Sequence, residues 1–319
     1  MKKKLSQKEI DGLLIKISKD EIIYSLNEIL TIERPKKIKY AHLNNLNTND
    51  LTILNKLPNV EELRIGNFKH SSIIFPKNLK KLKYLCLYDS GTLKVINTIK
   101  NLINLETLEL SQNKISDITQ LKYLKNLRML YLSKNQIKNI SFLNFLKYIS
   151  ILDLSENKIN DISSLSNLKK LEIVYLNNNK LRCIPILSSK KLKQISLYSN
   201  KIVDIAGLKE IKSLKKLDLS SNKVRDITAI KNLKNIRDLN FSENQIENIE
   251  VIKNLKKLSY LDLSRNKIRG ISPIKKLVSL KNLQIWDNPI ENISGLKNTT
   301  SEMKKAVKLF NYFKDRIIK

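Results

Sequence analysis

Along most of this chain, leucine and isoleucine fall into one repeated frame. Its clearest copy reads Leu105-x-x-Leu108-x-Leu110-x-x-Asn113-x-Ile115-x-Asp117-Ile118-x-x-Leu121-x-x-Leu124. The asparagine returns at Asn135, Asn157, Asn179, Asn200, Asn222, Asn244, Asn266 and Asn288, always 22 residues on except for one step of 21 before Asn200. Weaker copies run from Ile38 to Leu46, Val60 to Phe68 and Leu82 to Ser90, so twelve repeats cover residues 37–295. A repeat this short cannot bury its own apolar face. Its neighbours must do so, and the period therefore predicts a solenoid in which each unit stacks on the next.

Within each repeat the brief L-x-x-L-x-L run alternates with period two and predicts a strand. The asparagine ends that strand, because its amide both donates and accepts and can satisfy the turning backbone and the next asparagine. The recurrent Asp-Ile-Thr/Ser step (Asp117, Asp161, Asp204, Asp226) predicts a turn or one 3₁₀ turn, the Asp bonding nearby amides. Pro185 marks the repeat that is one residue short, where a kink is expected. The expected fold is an α/β solenoid with a parallel concave sheet and a convex side of short turns. Both ends lose the frame. Residues 5–31 read as helix, with capping boxes Ser6-x-x-Glu9 and Ser18-x-x-Glu21 and an apolar face of Ile10, Leu13, Leu14 and Ile17. Thr299-x-x-Glu302 opens a second helix. The layout is thus an amino-terminal helical cap over 1–36, repeats over 37–295 and a carboxy-terminal capping helix over 296–319.

Three outward columns of each strand face the concave side. Across twelve repeats they hold seven of the eleven tyrosines and the single tryptophan. Strands favour aromatics, yet solvent-facing columns gain little stability from them, and Tyr and Trp are the residues that anchor interfaces. The densest group is Met129, Ile151 and Ile173 in one column beside Tyr131, Asp153 and Tyr175 in the next, with Tyr198, Tyr84 and Tyr88 along the sheet. A second group is Asp238, Tyr260, Asp262 and Trp286. These thirteen residues are the candidate contact surface for a protein partner.

Charge changes the picture only in part. The chain carries 60 basic and 30 acidic residues, net +30, which alone points to nucleic acid or an anionic surface. The concave columns are instead mildly acidic, with Glu62, Glu109, Asp153, Asp218, Asp238 and Asp262 against Arg64 and Lys216. Lysines gather in the convex turns (Lys169, Lys190, Lys234, Lys256 among them) and just after the asparagine (Lys114, Lys158, Lys180, Lys201, Lys223, Lys267). Heavy use of Lys, Ile and Asn with little Arg is what an AT-rich genome produces, and solvated charge keeps a solenoid soluble. A polyanion bound along the lysine rim and convex face is the alternative to a protein on the concave face.

Catalytic chemistry finds no constellation. His42 and His70 have no second ligand or nucleophile at a useful spacing. Six glycines form no phosphate loop, and Cys86 has no base to activate it. No catalytic residue, metal site or cofactor is assigned. Two cysteines in separate repeats predict no disulfide framework and a reducing, cytoplasmic setting. The basic start, Met1 to Lys4, has no apolar stretch behind it, so no secretory signal is expected. No run of apolar residues is long enough to span a membrane. A monomer is expected.

Blocks such as LKKLDLSSNKVRDITAIKNLKNI (Leu214 to Ile236) and LSYLDLSRNKIRGISPIKKLVSL (Leu258 to Leu280) resemble the 22-residue leucine-rich repeats of bacterial internalins and of the regulatory subunit of type-1 protein phosphatase. The resemblance implies a curved solenoid that grips another protein on its concave face, as a scaffold or a regulatory subunit. Asn288-Pro289-Ile290 begins as the phosphatase subunit's closing cap does, and the Lys-rich stretch that follows departs from it.

Overall fold

A computed structural model describes residues 33–291 apart from positions 89, 92 and 95, together with Ile22, Ile23, Ser25 and Ile29. Most of the amino-terminal cap and all of the carboxy-terminal helix expected over 296–319 lie outside the described residues. The chain forms two compact units, residues 1–135 and 136–319.

In the first unit, β1 (Ile22–Ile23), β2 (Tyr40–Asn44), β3 (Glu62–Gly66), β4 (Tyr84–Tyr88), β5 (Thr107–Glu109) and β6 (Met129–Tyr131) pair in parallel, each with the next in sequence. In the second, β7 (Ile151–Asp153), β8 (Ile173–Tyr175), β9 (Gln194–Ser196), β10 (Lys216–Asp218), β11 (Asp238–Asn240), β12 (Tyr260–Asp262) and β13 (Asn282–Gln284) do the same. Register advances by one repeat per strand, as in Leu217 beside Leu239 beside Leu261. Strands β2–β13 are the twelve repeats. One expectation is corrected: Ile22 and Ile23, inside the segment read as helix, form a strand beside Tyr40 and Ala41. Two β-branched residues in sequence suit the open edge of a sheet better than the face of a helix.

The frame leucines fill the interior. Leu105, Leu108, Leu110, Ile115, Leu121 and Leu124 are fully buried, each worth about 2 kcal/mol of apolar transfer. Convex 3₁₀ turns follow, such as Thr119–Tyr123, Ser163–Asn167 and Thr228–Asn232. The preceding acid starts them: Asp117 Oδ1 accepts from the Thr119 amide at 2.9 Å, and Asp161, Asp204 and Asp226 repeat the bond at 2.8 Å. The short repeat has no 3₁₀ turn between β8 and β9. There the chain passes Pro185 without a regular element, and the Ile184 and Pro185 carbonyls come so close to Gly207 that a side chain would collide with them.

The asparagines form a ladder along one end of the strands. Asn222 Nδ2 donates to the carbonyls of Leu197, Leu219 and Ser220 at 3.0–3.1 Å, and its Oδ1 accepts from the Ile202 amide at 2.9 Å. Asn135, Asn179, Asn244 and Asn266 repeat the pattern. Each amide thus binds two repeats of backbone and not, as the sequence allowed, the next asparagine. The ladder opens at Asn113, whose Oδ1 has no donor among the described residues. The residue before each asparagine is left-handed although none is glycine: Gln112, Ser221, Glu243 and Arg265 have φ of 61°, 53°, 56° and 53°. That conformation costs an L-residue about 1 kcal/mol, and the ladder holds it in place.

Candidate functional site

The outward columns lie where alternation puts them, on the solvent side of the strands. Not every outward position is open, however. Thr107, His42, Cys86 and Ser264 are buried. The serines turn inward because the acid or amide two residues earlier ends the strand. Asp153, Asp218, Asn240 and Asp262 accept from the amides of Ser155, Ser220, Ser242 and Ser264 at 2.9–3.0 Å. Asp153 and Asp262, read as contact residues, therefore also serve the backbone.

On the first unit, β2–β5 carry a cluster that the sequence reading left as separate charges. Glu62 Oε1 accepts from Arg64 Nε at 2.6 Å and lies 3.3 Å from His42 Nε2, while the Arg64 guanidinium stacks 4.7 Å from the Tyr84 ring. Burial works to raise the Glu62 carboxyl, but the bonds from His42 and Arg64 outweigh it and hold it below the ordinary range. Burial pushes Tyr84 well above an ordinary phenol, with the Cys86 thiol adding to it. Cys86 itself is pushed up to about 12, chiefly by burial and then by Glu109, the opposite of an activated nucleophile. Tyr88, 38% exposed, lies across Gly66 and donates to Asn44 Oδ1 at 2.7 Å. On β6, Tyr131 and Met129 are half-buried, and the Tyr131 hydroxyl contacts Met129 Sδ at 3.8 Å.

On the second unit, β7 and β8 bring together four of the expected residues. Ile151 stands beside Ile173, and Asp153 beside Tyr175, all half-buried. Burial and then Asp153 raise the Tyr175 phenol, whose oxygen accepts from Gln194 Nε2 at 3.3 Å. Tyr198, 43% exposed, follows on the next repeat. Further on, Gln194, Ser196, Lys216, Asp218, Asp238 and Tyr260 line an open groove of about 510 Å³. Lys216 Nζ pairs with Asp238 at 2.8 Å, and burial, Asp262 and Asp218 raise the Tyr260 phenol. Trp286, 45% exposed, is stacked by the Arg265 guanidinium at 4.8 Å. Arg265 also bonds Glu243 at 2.7 Å. Sequence reasoning named Asp238, Tyr260, Asp262 and Trp286, counted Lys216 only as a charge of the concave columns, and missed Gln194 and Arg265 because cross-strand partners about twenty residues apart show only when columns are read side by side.

A model of the family described as leucine-rich repeats (two copies) matches residues 103–145, 125–167, 149–189, 169–210, 190–232, 212–256 and 256–298. The chain belongs to the leucine-rich repeat family. Its repeats are of internalin-like type. The structure of the internalin inlF from Listeria monocytogenes is 30% identical, with a TM-score of 0.65 over 77% of this chain and 80% of that one. Internalin C2 from the same bacterium is 30% identical, with a TM-score of 0.56 over 61% of this chain and 84% of that one. The plant peptide hormone receptor RGFR1, solved in complex with RGF2, is 22% identical, with a TM-score of 0.65 over 83% of this repeat protein and 46% of the receptor. That last likeness is one of fold. No curated protein matches the chain. No helix among the described residues is long and apolar enough to cross a membrane.

Proposed function

We propose that this leucine-rich repeat protein is a non-catalytic scaffold that holds a protein partner on its concave sheet. The observation that carries the reading is the pair Ile151 and Ile173, side by side and half-buried on adjacent strands, with Tyr175 next to them. Tyr198, Asp238, Tyr260, Asp262 and Trp286 extend the surface along the same unit. Tyr84, Tyr88, Met129 and Tyr131 offer aromatic and sulfur contacts on the first. The raised Cys86 thiol supports the non-catalytic reading. Two free thiols, Cys86 buried and Cys183 exposed, fit a reducing cytoplasm. In the receptor RGFR1 the same fold holds RGF2, so a peptide or protein ligand is within its reach.

The test is capture of partners from nuclease-treated lysate, washed at low and then high salt, with Ile173→Asp/Tyr175→Ala alongside. A protein that survives high salt and is lost, at least tenfold, with the double variant is the expected result. Both side chains face outward, so the variant's melting temperature serves as the folding control. Undiminished capture by a folded variant overturns the reading.

A further inference from the structure

In the second unit, each strand is entered through a tight turn and one residue that precedes the strand, with a 3₁₀ turn ahead of them in every repeat but the short one before β9. Residues 188–193, 209–215, 231–237, 253–259 and 275–281 are these entry segments in five successive repeats. Each contributes three basic residues, fifteen in all, against one acid, Glu210. All fifteen are exposed. Main-chain bonds set them in file: the amides of Lys215, Arg237 and Ser259 donate to the carbonyls of Lys193, Lys215 and Arg237 at 2.8 Å. The turns stack as well, with Asn235 Nδ2 donating to the Lys212 carbonyl and Lys257 Nζ to Asn235 Oδ1. Among the described residues only Lys193 and Lys253 of the fifteen meet a carboxylate, Glu172 and Glu250.

The exit side of the same strands is a control within the molecule. Residues 199–204, 221–226, 243–248, 265–270 and 287–291 hold six basic and six acidic side chains. There Arg265 and Arg269 pair with Glu243 and Glu291. A lysine-rich genome enriches both sides alike, so composition does not explain a surplus confined to one.

We propose that this entry edge binds double-stranded nucleic acid through its phosphates, without reading sequence. Four strand steps of about 4.8 Å make the edge about 19 Å long. Fifteen bases over that length are about one per 1.3 Å, close to the duplex's one charge per about 1.7 Å and denser than a single strand requires. Fourteen of the fifteen are lysine, a point charge suited to phosphate and not to bidentate reading of base edges. The five segments contain no aromatic residue, so they provide no stacking platform for unpaired bases. Their one exposed large apolar side chain, Val278, is a poor anchor for a lipid surface, which needs an apolar face. This site is independent of the concave face.

The test is fluorescence anisotropy of a 20-base-pair DNA duplex with the whole protein between 50 and 250 mM salt. Two triple variants remove equal charge from the same unit: Lys215→Gln/Arg237→Gln/Lys281→Gln on the entry edge, and Lys201→Gln/Lys223→Gln/Lys267→Gln on the exit side. The entry variant is expected to weaken binding at least tenfold and to lower the slope of log affinity against log salt by about 2.7, for three lost phosphate contacts. The exit variant should change affinity less than twofold. Lys190→Gln/Lys234→Gln/Lys276→Gln, in the turns, should repeat the entry result and guards against misfolding of one variant. Equal losses from entry and exit variants, absence of duplex binding at 50 mM salt, or binding to phosphatidylserine vesicles in preference to the duplex each overturns the proposal.

Discussion

The residue that precedes each strand occupies the same column in both units, yet the two units fill it differently. In the first, Lys39, Glu61, Lys83, Glu106 and Arg128 alternate in sign, and Lys83 reaches Glu61 at 3.1 Å and Arg128 reaches Glu106 at 3.4 Å. In the second, Ser150 and Glu172 come first and Lys193 still reaches Glu172 at 2.6 Å, but Lys193, Lys215 and Arg237 then succeed one another, with Lys281 after Ser259. Like charges on adjacent strands repel. Alternation is what stability alone favours, so the first unit follows it throughout and the run from Lys193 to Arg237 in the second departs from it.

The contrast is tested most strongly by comparing the two ends of one repeat. Asn222→Ala removes three donated bonds and one accepted bond; the buried Ile202 amide loses its acceptor, while the Leu197, Leu219 and Ser220 carbonyls each keep one donor, from Asn200, Asn244 and Ser199. A loss of about 2–4 kcal/mol is expected, measured by urea unfolding. Lys215→Gln, at the entry end of the same repeat, should change stability by less than about 0.5 kcal/mol. If Lys215→Gln costs as much as Asn222→Ala, the entry bases belong to the fold and the contrast between units collapses.

A charge that is held, in the first unit, should behave differently from one that is merely solvated. Glu62 is bonded to Arg64 and faces His42 on a half-buried strand. Its folded pKa lies below the ordinary 4.5, so its contribution is fully present above that value and is lost as pH falls through the lowered one. Glu62→Gln should therefore cost about 1 kcal/mol at pH 7, a difference that closes as acid protonates the wild-type carboxylate. A constant difference from pH 7 to pH 3 in thermal melts would show that packing, not charge, is what Glu62 supplies.

How much of this was legible depended on whether the deciding partner is near in sequence. The twelve strands, the convex turns begun by Asp117, Asp161, Asp204 and Asp226, and the strand-ending asparagines all follow from one 22-residue frame. The left-handed residue before each asparagine was not legible, since Gln112, Glu156 and Arg265 carry no glycine signal and are held by bonds their neighbours make. Nor was the burial of His42 and Cys86, which depends on the Glu62, Arg64 and Tyr84 columns beside them. The outward columns were readable from alternation. That Asp153 and Asp262 also cap their strands was not, because a carboxylate two residues before a serine reads as surface charge. The strand at Ile22–Ile23 was hidden by an apolar spacing that a helix also fits.

The smallest effect gives the sharpest comparison. Arg237→Glu places an acid beside Lys215 and so gives the second unit the alternation of the first. An exposed cross-strand pair is worth about 0.3–1 kcal/mol, so this variant should be slightly more stable than the wild type, with the gain shrinking as salt screens it. The same change deletes one phosphate contact and adds a repulsive charge, and duplex affinity should fall. Stability and binding then move in opposite directions on a single substitution. A variant that gains stability and keeps its duplex affinity would mean the like-charged column serves neither the fold nor a polyanion.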